Sequence, residues 1–136
     1  MAEITVAAAL DSLDTVLRFV DGQMEQAGCP LKLMTQVDMA VEEIFVNIAH
    51  YAYRPEQLGE ATVRCCVGGS PLQVTIQFLD NGTPFNPLAK EDADITLSAE
   101  ERKIGGLGIL MVKKSMDAVD YTYEGGKNIL TIKKSI

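Results

Sequence analysis

From Leu33 onward an apolar residue returns every three or four positions, at Val37, Ala40, Val41, Ile44, Ile48 and Tyr51, until Pro55 stops the pattern. This periodicity predicts one helix over about Leu31 to Tyr53, the longest element of the chain, with a continuous oily face that has to be laid on something. A sheet supplies the surface. Glu3 to Ala8 reads as a short strand, and Leu10, Leu13, Val16, Leu17, Val20 and Met24 recur at helical spacing until Gly28 and Pro30. Ala61 to Val67 and Leu72 to Leu79 flank Gly68-Gly69-Ser70-Pro71, and Val74, Ile76 and Phe78 alternate with Thr75 and Gln77, as in a hairpin with one buried face. Ile109 to Met116 predicts a short helix, followed by strands near Ala118–Tyr123 and Ile129–Lys133 around Gly125-Gly126. Helices early and strands late predict an α+β fold, a two-layer α/β sandwich whose mixed, mainly antiparallel sheet carries its helices on one face. Residues 1–136 read as a single domain without repeat or linker.

The overall balance narrows the function. A formal charge of −7 argues against a nonspecific nucleic-acid binder, which needs a basic footprint to displace counterions from phosphates. Cys29, Cys65 and Cys66 are odd in number and lack CxxC spacing, so they read as reduced thiols of a cytoplasmic protein rather than as a disulfide framework or zinc site. The amino terminus lacks a basic leader, and its apolar run breaks at Asp11, so neither export nor membrane insertion is expected.

Three places carry chemistry. On the long helix, Glu43, Asn47, His50 and Arg54 follow one another at four, three and four residues, which puts them on one polar stripe beside the apolar face. An amide oxygen there can ligate Mg²⁺ while a carboxylate one turn away orients or deprotonates a hydroxyl. Spacing alone also fits a solvated helix face. Asp80-Asn81-Gly82-Thr83-Pro84-Phe85 leaves an apolar strand and turns at once, so a carboxylate able to accept a hydrogen bond from an exocyclic amine stands beside a glycine that permits close approach, although these residue types also favour an ordinary turn. Gly105-Gly106-Leu107-Gly108 directly precedes an apolar helical segment, where bare amides and a positive helix end suit phosphate; a flexible helix entry has the same look. Neither a Walker loop nor a complete GxGxxG is present. Between the last two motifs, a long stretch poor in periodicity suits a lid or binding loop.

In this order the motifs resemble the N box (Glu43 to Asn47), first glycine box (Asp80 to Phe85) and second glycine box (Gly105 to Gly108) of the gyrase, Hsp90, histidine kinase and MutL ATP-binding superfamily. The short chain and the DNGTPFNP and GGLGI wording are most similar to the anti-sigma-factor serine kinases. The resemblance implies a histidine-kinase-like ATPase fold binding ATP and Mg²⁺, with Glu43 as general base, Asn47 on the metal, Asp80 on the adenine amine and Gly82 giving the base room. Phe85, Gly105, Gly106, Leu107 and Gly108 would line the nucleotide, Thr131 would sit near the adenine, and the segment from Asp92 to Lys103 would be a lid. His50 falls one residue short of a position where relatives often carry a histidine, and it receives no role. As partners the resemblance implies a small anti-anti-sigma protein as substrate, a sigma factor, and a second copy in a homodimer, with neither nucleic acid nor membrane contacted directly. Two other functions remain open: a noncatalytic, nucleotide-dependent protein-binding switch, and a stand-alone histidine-kinase-like ATPase domain, the latter disfavoured by the absence of a dimerisation helix with its own acceptor histidine.

Overall fold

A computed structural model describes residues 1–54, 56–87 and 106–136. The elements run in the order β1 (Ala2–Ala7), α1 (Leu13–Gln26), α2 (Leu31–Tyr51), β2 (Glu60–Gly68), β3 (Gln73–Asp80), α3 (Gly106–Ser115), β4 (Ala118–Glu124) and β5 (Lys127–Ser135). The strands form one sheet in the order β1-β2-β3-β5-β4, and every pairing is antiparallel, so the mainly antiparallel sheet expected is antiparallel throughout. The fold is α+β, with the three helices packed over one sheet face.

Period and burial agree closely. Along β2, β3 and β5 alternate residues are buried, giving an inner row that includes Val63, Cys65, Val74, Ile76, Phe78, Leu130 and Ile132. The stripe of α2, with Val37, Val41, Ile44 and Phe45 at 2% exposure or less, covers that row together with Val16, Val20 and Met24 of α1. Removing Phe45 or Phe78 from water contributes about 1.5–3 kcal/mol each.

Two boundaries differ from the sequence expectation. Before α1 the chain makes a 3-10 turn at Leu10–Ser12. The helix α2 ends at Tyr51, because the Ala52 carbonyl is taken by the Thr83 N–H at 3.0 Å and the Tyr53 hydroxyl donates to the Glu60 carbonyl at 2.7 Å. Arg54 therefore leaves the helical stripe; its backbone N–H donates to the Gln57 side chain. Between α1 and α2, Asp21 shares a hydrogen bond with Asp38, and burial together with this neighbouring carboxyl pushes Asp38 up to about 7. Among the described residues no helix is long and apolar enough to cross a membrane.

Candidate functional site

The first site element is built where β3 ends. Asp80 is 6% exposed, and its Oδ1 accepts from the Gly82 N–H at 2.9 Å, the local bond that bends the chain immediately after the strand. Antiparallel register sets Asn128 of β5 directly across from Asp80, and the Asn128 Nδ2 donates to the same Oδ1 at 2.9 Å. Nδ2 also donates to the Thr83 carbonyl at 3.0 Å, while Oδ1 of Asn128 accepts from the Phe85 N–H at 3.2 Å and from the Tyr121 hydroxyl. One buried amide thus ties together the strand end, the following loop and β4, with both its donor and acceptor sides used.

Gly82 has a reason within the fold itself. A Cβ built there would lie 2.1 Å from the Ala52 carbonyl oxygen, so the glycine lets the loop press against the end of α2. The Asn81 N–H donates to the Tyr53 hydroxyl at 2.9 Å, a second tie between the loop and the segment after α2.

The second element lies on α2. Burial, and then the neighbouring Glu42, raise the pKa of Glu43, while a hydrogen bond from the Asn47 side chain partly offsets this. The Oδ1 of Asn47 is buried and has no hydrogen-bond partner among the described residues. Such an orphaned acceptor costs about 1–3 kcal/mol unless something not present here satisfies it. A neutral, hard oxygen in that state suits a Mg²⁺ ligand that would take its remaining partners from phosphate and water. His50, one turn further, is exposed and lies beside Tyr51 with ring centroids 5.9 Å apart.

The two elements face a common cleft of about 60 Å³. Asn47, Ile48 and Tyr51 of α2 form one wall, Asp80, Thr83 and Phe85 another, and Tyr121, Asn128 and Leu130 line it from β4 and β5. Asn47, Asp80 and Phe85 are therefore brought together as expected. Glu43 lines a second recess behind Asn47.

Thr131 is not brought to the cleft. Asn128, Leu130 and Ile132 occupy the inward parity of β5, so Thr131 falls on the opposite face, where Gln77 Nε2 approaches its hydroxyl at 3.4 Å. The strand position next to Asp80 belongs to Asn128, which the sequence reading missed. The signal was present as a polar residue in phase with Leu130 and Ile132. Gly106 opens α3 and Leu107 and Gly108 lie in its first turn, three residues earlier than the helix start expected; at that end backbone N–H groups lack intrahelical partners. Gly105 and the lid segment from Asp92 to Lys103 lie outside the described residues.

The fold is thus a five-stranded antiparallel sheet with helices on one face, and a carboxylate at the end of β3 and an amide on α2 line one cleft. The model of the histidine kinase-like ATPase domain matches residues 6–134, and the chain belongs to that family. It is similar to the serine-protein kinase RsbW of Listeria monocytogenes serovar 1/2a, 29% identical over 118 residues that make up 84% of this chain and 74% of the relative. The serine/threonine-protein kinase BtrW of Bordetella bronchiseptica is 23% identical over 101 residues, 74% of this chain and 70% of that protein. Among solved structures, the RsbU and RsbW domains of a Mycobacterium tuberculosis protein match with a TM-score of 0.68 at 13% identity; the match covers 99% of this chain and 32% of that one.

Proposed function

We propose that this chain is a cytoplasmic, ATP- and Mg²⁺-dependent protein serine kinase of the anti-sigma-factor type. Its substrate is a small anti-anti-sigma protein, and it holds a sigma factor when that substrate is absent. The observation that carries the reading is the buried Oδ1 of Asn47, which has no partner among the described residues at the wall of a cleft that Asp80 also lines, with Glu43 one turn away on α2. Similarity to serine-protein kinases over most of the chain supports it.

Bound ATP with Mg²⁺ supplies the transferable phosphoryl group and neutralises its charge. Each residue then has a distinct task. Asn47 Oδ1 would hold the cation; Asp80, fixed by Gly82 and Asn128 through one oxygen, would accept from the adenine amine. The first-turn amides of α3, from Gly106 to Gly108, face phosphate oxygens. Glu43 takes the proton of the serine hydroxyl as its oxygen bonds to the γ-phosphorus and the bond from that phosphorus to the departing ADP oxygen breaks. Its raised pKa helps it hold that proton, since a base is best matched when its pKa approaches the working pH. A cleft of about 60 Å³ is below the roughly 300–1,000 Å³ of ligand sites, so nucleotide entry widens it.

Calorimetric titration with ATP and Mg²⁺, beside an Asp80→Asn variant, tests the nucleotide half of the reading: the parent binds and the variant does not. Absence of binding by the folded parent would sink it. Glu43→Gln tests the chemical half. Phosphate transfer to the cognate protein drops by about 10²–10⁴-fold with nucleotide affinity retained, whereas a noncatalytic switch is indifferent to the change.

A further inference from the structure

Among the described residues, a recess larger than the proposed nucleotide cleft lies on the other side of Glu43. Between α2 and α3 runs a groove of about 400 Å³, lined by Met39, Glu42, Glu43 and Val46 from one helix and by Met111 and Ser115 from the other. The two methionines are each 55% exposed, so an unbranched, adaptable apolar side chain stands open on either bank. Glu42 and Glu43 are the charged residues in this lining, and both are acidic; Lys113 and Lys114 of α3 are outside it.

Glu43 lines the groove and Asn47, one turn along α2, lines the cleft. The pair is thus a partition between the recesses. A hydroxyl that gives its proton to Glu43 while a nucleotide fills the Asn47 side can arrive from the other side, where the groove opens among the described residues.

We infer that the α2–α3 groove seats the phosphoacceptor segment of the substrate protein, a serine flanked by an apolar anchor and a lysine or arginine. The inference rests on the kinase reading and deepens it. The apolar anchor lies between Met39 and Met111. The cation meets Glu42, which is about 100° around the helix from Glu43 and so beside the serine rather than on top of it. Charge complementarity at such a rim sets selectivity and encounter rate more than raw affinity, so substrate choice rather than turnover is where Glu42 acts.

The test is an array of short peptides with a central serine and randomised flanks, incubated with the protein, Mg²⁺ and labelled ATP and read for both retention and phosphate transfer. Retained and labelled peptides are expected to carry Lys or Arg with Leu, Ile or Met close to the serine. Glu42→Lys is expected to invert the charge preference toward acidic flanks, a swap that a loosened fold would not produce. Met39→Asp and Met111→Asp are each expected to weaken retention about tenfold. ATP affinity, titrated in parallel, is unchanged in all three. If the parent binds ATP but the array is blank, or if selection is the same in parent and variants, the groove is not the docking site. Self-association of the parent in sedimentation that Met39→Asp abolishes, with peptide selection unaltered, would assign the groove to a second copy and overturn the inference. Failure of the parent to bind ATP would instead overturn the kinase reading on which it rests.

Discussion

Asn47 and the Asp80 corner line the same cleft, with Glu43 one turn from Asn47 in the neighbouring recess, and the corner and the helix pair are built on opposite principles. At the corner, Asp80 and Asn128 are 6% and 7% exposed, and the amide of Asn128 engages Asp80, Thr83, Phe85 and Tyr121. On α2, by contrast, Asn47 keeps a buried oxygen with no partner among the described residues, and Glu43 is held with its proton affinity raised. The corner is complete without ligand. The helix pair leaves one acceptor open among the described residues. Recognition of a base edge depends on a preset geometry, whereas metal binding and proton transfer need valences left open, and polar groups that stay unsatisfied cost stability.

Breaking the corner has the largest expected effect on folding. Gly82→Ala would place a methyl 2.1 Å from the Ala52 carbonyl oxygen, and backbone cannot yield as a side chain end does. A loss of about 3 kcal/mol in urea unfolding is expected; an unchanged midpoint would show that the loop is not pinned to α2. Asn128→Ala leaves the Phe85 N–H and the Thr83 carbonyl without their partner, and a loss of about 2 kcal/mol is expected in the same measurement.

The helix pair should behave in the opposite sense. Asn47→Ala removes the orphaned oxygen, so stability without nucleotide should hold or rise by up to about 1 kcal/mol, while ATP binding loses its dependence on Mg²⁺ in calorimetry. A destabilisation as large as that of Asn128→Ala would erase the contrast. The smallest effect is a pH slope. Because Glu43 has a raised folded-state pKa, its protonated form is favoured in the fold, so its unfavourable contribution grows as pH rises from the ordinary glutamate range through that raised value. Glu43→Gln should therefore be more stable than the parent at neutral pH, with the gap closing on acidification, as read from midpoints across a pH series.

Much of the frame was legible in the sequence because periodicity is local: the faces of α1 and α2 and the alternation in β3 follow from neighbours three, four or two residues away. The Asp80 loop was legible for the same reason, since its turn is closed by the bond from Gly82 to Asp80. Asn128 was missed because its role depends on register across two strands, a relation between positions 80 and 128 that no window contains. Thr131 was misplaced by one step of the same parity. The start of α3 was put too late because Gly105 to Gly108 was read as a loop leading into the helix, although in a first turn the conformational cost of glycine falls where the amides are bare anyway. The groove lay beyond local patterns altogether, since Met39 and Met111 line it from two different helices.

The strand order has a consequence for how the protein is made. β5 lies between β3 and β4, so the strand synthesised last among those described enters the interior of the sheet rather than its rim. Until Lys127–Ser135 has left the ribosome, one edge of β3 stays unpaired, and exposed strand edges invite aggregation. Because the partner of Asp80 is carried by that same strand, an interrupted chain lacks the corner as well as the sheet centre. Translation that stops short of residue 128 yields a polypeptide without the completed nucleotide pocket, and such a fragment should compete neither for ATP nor for the partners of the finished protein.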